Sequence, residues 1–156
     1  MKSVIRRAFL PLLLASTLAP VAAQAGQQAL ATGSGHITVN GELRTFAFAA
    51  HRDSGGVTLG ELQLNNRALD SKTHGTLNCL VVNGNRATMS GVVDTSTNFP
   101  AGTPIWVEVV DNGEGGAAAA DQITLVALFP GGAGVPCTVP SILPAQDIER
   151  GNIQVH

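Results

Sequence analysis

Residues 111–121, DNGEGGAAAAD, place Asp111, Asn112, Glu114 and Asp121 within one short stretch. Carboxylate and amide oxygens are the ligands a hard cation takes, so these four residues are a candidate calcium set. A calcium loop of the EF-hand type needs oxygens at its first, third and fifth positions and a bidentate Glu at its twelfth. Here the third and fifth positions are Gly113 and Gly115, so backbone carbonyls would have to complete any shell. The competing chemistry is that of a turn. Asp111 and Asn112 would bond to nearby backbone, Gly113 would supply positive φ, and Glu114 and Asp121 would stand in solvent. The spacing favours the turn.

Other reactive side chains are scattered. His36, His51, His74 and His156 show neither a His-x-His nor a His-Glu-x-x-His pattern. If the first and last strands pair, His36 and His156 would approach each other. Ser54 and Ser90 lie outside any Gly-x-Ser-x-Gly elbow. Glu108 and Asp111 are close in sequence, but alternation puts Glu108 on an outward strand face, away from any paired-carboxylate cleft. A hydrolase built from loops would have to draw on His51, Asp53, Asp111 and Glu114. No catalytic set emerges from these spacings, and the reading is of a protein that is not an enzyme. With one tryptophan and no tyrosine, stacking surfaces are few. Trp106 is the candidate binding residue, as an exposed aromatic or as a rim residue packed under a loop.

The elements that must position these residues are short strands. GHITVNGELRTFAFAA reads as a hairpin turned by Asn40–Gly41, with Ile37 and Val39 on one face of the first strand, Phe46 and Phe48 on the buried face of the second and Arg44 near its exposed end. VTLGELQLNN changes phase at Gly60, the mark of a β-bulge. TLNCLVVNGNRATMSGVVD reads as a second hairpin, turned at Asn83–Gly84, with Leu77, Cys79 and Val81 on one face. In TPIWVEVVD, Ile105, Val107 and Val109 point inward and Trp106 and Glu108 outward. DQITLVALF reads as a central strand, and GNIQVH as a last strand with Ile153 and Val155 inside. About eight strands with little helix predict an all-β fold, a single antiparallel β-sandwich or barrel-like sheet. Pro130, Pro136, Pro140 and Pro144 make the preceding segment a long surface connection.

The sequence has two cysteines, Cys79 and Cys137, and an even pair in an oxidising compartment predicts one disulfide. That compartment is implied by the N-terminus. Lys2, Arg6 and Arg7 precede the apolar stretch AFLPLLLASTLAPVA, and VAAQAG offers small residues for cleavage after Ala23 or Ala25. Residues 1–25 thus read as a signal peptide and residues 26–156 as a single all-β domain, secreted or periplasmic. Pro11 and Pro20 break the apolar stretch, so no membrane span is expected. Without the three leader cations, six basic residues face eleven acidic ones, a net charge of −5. No basic footprint remains for nucleic acid. The expected partner is an extracellular protein or glycan, with no cofactor beyond the calcium alternative.

Four stretches together carry a resemblance: GSGHITVNGELRTFAFAA, LNCLVVNGNRATMSGVV, VEVVDNGEG…DQITL and the final GNIQVH. From about Gly33 to His156 the chain resembles a family of exported bacterial all-β domains, the post-choice-of-anchor-like domains, which end in Gly-Asn-Ile-Gln-Val-His. The resemblance implies an extracellular module and brings no catalytic residues with it. The resulting expectation is an exported non-enzymatic module with a binding or structural role at the cell envelope or outside the cell. A small secreted hydrolase and a calcium-stabilised adhesion domain are the alternatives. Exported protein should begin at Gln24 or Gly26. N-terminal sequencing checks this, and Met1 retained on exported protein would remove the cleavable-leader reading.

Overall fold

Alternating apolar residues give this chain its strands, and their inward side chains meet in one core. The computed structural model describes residues 28–115 and 118–156, so the leader read at residues 1–25 lies outside the described residues. The strands are β1 (Ala29–Val39), β2 (Glu42–Arg52), β3 (Thr58–Asn66), β4 (Ser71–Asn83) and β5 (Arg86–Ser96), then β6 (Pro104–Val110), β7 (Gln122–Thr124), β8 (Ala127–Leu128), β9 (Ala145–Asp147) and β10 (Arg150–Val155). A 3-10 turn, Arg67–Leu69, joins β3 to β4. All pairings are antiparallel, in the order β10-β1-β2-β3-β4-β5-β6-β7-β9, with β8 beside β6. The all-β antiparallel class is as expected, but the described residues form ten strands in one strongly curled half-barrel sheet. Among the described residues no helix is long and apolar enough to cross a membrane.

Curling this tightly needs room inside. Phe46 and Phe48 project from β2 over β1, where Gly33 and Gly35 face them. A Cβ at Gly33 would come within 2.9 Å of the Phe48 ring, and one at Gly35 within 3.1 Å of the Phe46 ring. The two rings lie 6.2 Å apart, stacked along the strand. Around them Leu62, Leu77, Leu80, Met89, Ile105 and Ile153 complete a closed core. Two glycines thus let two aromatic rings lie flat against the neighbouring strand.

Turns and phases differ from the sequence reading in instructive places. Asn40 (φ 54) and Gly41 (φ 81) form the expected left-handed pair of a type I′ hairpin. In the β4–β5 hairpin, however, Asn83 pairs with Arg86, so the turn is Gly84–Asn85 rather than Asn83–Gly84. Gly84 has φ 62 and Asn85 is not left-handed, as a type II′ turn requires. β3 carries no bulge at Gly60; its register with β2 is unbroken, which leaves Leu59 outside and 74% exposed. The register shifts lie between β4 and β5, one leaving Asp94 of β5 without a partner and the other Asn78 of β4, between Leu77 and Cys79. Leu77 and Leu80 therefore both face the core, and Cys79 turns outward instead of sharing their face.

DQITLVALF is not one central strand. It splits into β7 and β8, both against β6, with Leu125 and Val126 between them. From Val109↔Ile123 to Ile105↔Leu128, β6 advances four residues while the partner advances five. The extra residue breaks the ladder, and the Glu108 amide donates instead to Thr124 Oγ1 at 3.1 Å.

The connection 129–144 leaves β6 at the Phe129–Pro104 backbone bond and crosses its outer face as a strap with three further attachments. Cys137 is disulfide-bonded to Cys79, as the cysteine count predicted. Trp106 Nε1 donates to the Val139 carbonyl at 3.1 Å, and the Ser141 amide donates to Glu108 Oε2 at 3.0 Å. Trp106 and Glu108 do alternate outward from Ile105 and Val107, yet their relative exposures are 0% and 1%. The strap buries both. Trp106 is thus not an exposed stacking platform, and its indole N–H is already used. Glu108 is balanced by Arg86 and receives Thr88 Oγ1 at 3.2 Å.

Non-reducing peptide mapping of the exported domain should recover a single linked pair containing Cys79 and Cys137. Replacing both by serine should cost about 2–5 kcal/mol in denaturant unfolding, the usual loss for a native bridge in a small secreted domain. Two freely alkylated thiols in folded protein would contradict the assignment.

Candidate functional site

The acidic stretch that opened the sequence reading is a seam between strands. Asp111 follows β6 and Asp121 precedes β7. On one edge β10 pairs with β1, and the ladder runs on into His156, whose amide donates to the Leu30 carbonyl at 2.9 Å. On its other edge the Ile153 amide donates to Asp121 Oδ2 at 2.8 Å, and the Val155 amide to Asp111 Oδ2 at 3.0 Å. The remaining oxygens are used as well. Asp121 Oδ1 accepts from the Asn112 amide and Asp111 Oδ1 from the Gly113 amide, both at 2.8 Å.

These contacts revise the reading of the loop. The local bond from Gly113 to Asp111, and positive φ at Gly113 (+88°), are those of the expected turn. Asp121 is not a solvated residue: it is 7% exposed and holds two segments together. Asn112 is turned inward on the loop, its Nδ2 donating to the Ala120 carbonyl, and exposed Glu114 accepts from Asn152 Nδ2 at 2.9 Å. A cation drawing on Asp111 and Asp121 would compete with four backbone N–H donors. Among the described residues no three His, Cys, Asp or Glu side chains are gathered so as to hold a metal ion.

The residues a loop-built hydrolase would use are not brought into one site. Asp53 caps its own hairpin, accepting from the Val57 amide at 2.9 Å. His51 stands exposed on β2, opposite Leu59. His36 and His156 do not meet, although β1 and β10 pair. The antiparallel register sets His36 opposite Arg150 and Ala31 opposite Val155, so the two histidines lie at opposite ends. His74 lies between Glu61 (3.6 Å) and Asp94 (3.2 Å) on the exposed face of the sheet.

What the chain does build is a cleft of about 440 Å³ at the end of the half-barrel away from the aspartate seam. Ile37, Phe46 and Leu64 reach it from β1, β2 and β3. Leu69 comes from the 3-10 turn, Phe99 from the β5–β6 loop, and Leu125, Val126 and Leu128 from the broken β7–β8 segment. Leu69 is 60% exposed and Leu125 37%. The extra residue that interrupts β7–β8 therefore delivers apolar side chains to the mouth. Sequence reasoning missed this site because Phe46, Leu64 and Leu128 look like ordinary core. The available signals were an apolar residue in the polar run NNRALD and a segment, ITLVALF, apolar on both faces.

Polar groups line the cleft as well, among them Arg44, Asn65, Asn66, Asn98 and Thr124. Arg44 precedes Phe46 by two residues on β2 and so shares its inward face. Its Nη2 donates to Glu42 Oε2 at a long 3.4 Å, and Asn66 Nδ2 donates to the same oxygen at 2.9 Å. Arg44 Nε is buried without a hydrogen-bond partner among the described residues.

The seam makes a prediction opposite to that of a solvent-exposed loop. Asp121→Ala leaves the Ile153 amide buried and unmatched and should destabilise by about 2–4 kcal/mol, whereas Glu114→Gln should change stability by less than about 0.5 kcal/mol. Urea unfolding of the two variants measures the contrast, and equal small effects would remove Asp121 from its structural role.

No protein-family model matches this chain, and no curated protein and no solved structure matches it either.

Proposed function

We propose that this domain is an exported, non-enzymatic binding module, acting at the bacterial cell envelope or outside the cell, that seats an apolar ligand in the open end of its half-barrel. One observation carries the reading: exposed Leu69 and Leu125 converge with inward-facing Phe46, Leu64 and Leu128 on the same concave cleft. Ligand sites in small β-barrels form at the mouth, are mostly apolar and span roughly 300–1,000 Å³. A cavity of about 440 Å³ falls in that range. The leader-like N-terminus supports export, and the Cys79–Cys137 bridge suits an oxidising compartment.

The neutral fluorophore Nile red should bind saturably at one site per chain. Leu69→Asp combined with Leu125→Asp places two charges on the rim and should weaken binding about tenfold or more, the scale of losing part of two leucine contacts. Leu59→Asp is the control, since Leu59 is exposed but lies outside the cleft. Fluorescence titration of the three proteins decides. Equal binding by all three would exclude the cleft as the seat.

A further inference from the structure

We infer that the ligand is a single-chain amphiphile with a carboxylate head, its alkyl chain in the cleft and its head at Arg44; this rests on the cleft being the binding seat. Arg44 is placed where such a head would emerge. It faces inward beside Phe46 yet keeps 36% of its side chain exposed, so it stands between apolar wall and solvent. A guanidinium offers five N–H donors in a planar fork that matches a carboxylate with two parallel bonds. Arg44 spends little of this capacity. Among the described residues its one hydrogen bond is the 3.4 Å contact with Glu42, whose same oxygen already accepts from Asn66.

Its Nε lies buried with no acceptor, and an unmatched buried donor is costly. Nε itself lies out of a ligand's reach, so an incoming carboxylate would bond through the Nη groups, whose single hydrogen bond among the described residues is the long contact to Glu42. A cationic head would find Glu42, the acid at this position, already shared between Arg44 and Asn66.

The tail is assigned from the wall. Ile37, Leu64, Leu69, Leu125 and Leu128 are branched aliphatics, with Phe46 and Phe99 the two aromatic members. Such a lining suits a flexible chain better than a planar ring, which needs an aromatic face to stack upon. A volume of about 440 Å³ lies near the lower end of the range for ligand pockets, which favours one alkyl chain over two.

Calorimetric titration with dodecanoate and with 1-dodecanol, both below their aggregation concentrations, tests the assignment. Dodecanoate should bind one per chain and about tenfold or more tighter than dodecanol, the scale of hydrogen bonds to a charged group. Arg44→Gln should bring dodecanoate down to the affinity that dodecanol shows for the unaltered protein, and Arg44→Lys should restore part of the loss. Circular dichroism melting establishes that the variants are folded. If Arg44→Gln does not fold, the comparison of dodecanoate, dodecanol and dodecyltrimethylammonium on the unaltered protein still decides. Dodecanol or the cationic amphiphile binding as tightly as dodecanoate, or Arg44→Gln binding dodecanoate unchanged, overturns the carboxylate assignment and leaves the cleft in place. Failure of Nile red and of all three amphiphiles to bind overturns both.

Discussion

The free edge of β10 is closed not by another strand but by two carboxylates from the β6–β7 connection. The Ile153 and Val155 amides of β10 would otherwise form an unpaired edge, the kind of surface that invites pairing with another chain. A β-strand in that position would need matched register and twist on both sides. An aspartate needs neither, because each of its two oxygens can accept from a separate backbone donor. Asp121 thus ties the β10 edge to the Asn112 amide, and Asp111 ties it to the Gly113 amide. The ladder arrives at the seam intact, since the Ile148 amide donates to the Asp121 carbonyl at 2.8 Å. Ile153 and Val155 themselves lie inside the core, on the strand that this attachment and the β1 ladder hold from either side.

The outer face is covered by different means. Residues 129–144 carry prolines that rule out a regular strand, so they cannot hold to β6 by a ladder. They are instead fixed at the disulfide, at the Trp106 indole and at Glu108. Burying Glu108 would be costly were it not paired with Arg86 and hydrogen-bonded by Thr88 and Ser141. Ser141 takes a left-handed φ of 57° while its amide bonds to that carboxylate. The strap covers one face of β6, while the cleft on the inner side stays open to solvent through Leu69 and Leu125.

That asymmetry shapes the functional reading. At the seam end polar groups are satisfied by backbone, and a ligand would have to displace existing bonds. At the open end the strand ladder fails after Thr124, apolar side chains face solvent, and Arg44 is under-bonded. Of the two, the open end is the one that we propose as the ligand seat.

By itself the sequence determined the strand-rich class, the Asn40–Gly41 turn, the inward Phe46 and Phe48, the inward Ile153 and Val155, and the cysteine pair. Each rests on local information: a period of two, a dipeptide that tolerates positive φ, or an even thiol count. It did not determine phase beyond a bulge. One residue without a partner between Leu77 and Cys79 moves Cys79 to the outer face, and which residue is extra depends on the strand opposite. Nor did it separate outward from exposed. Trp106 and Glu108 point away from the core but are buried because a segment more than thirty residues later in the chain lies over them. The same holds for Asp121, whose sequence surroundings are those of a solvated loop and whose partner at Ile153 lies 32 residues away. The cleft belongs to the tertiary structure altogether. Its walls come from four strands, β1 to β4, with a 3-10 turn, a loop and a broken segment, and only the curl of the sheet brings them to one place.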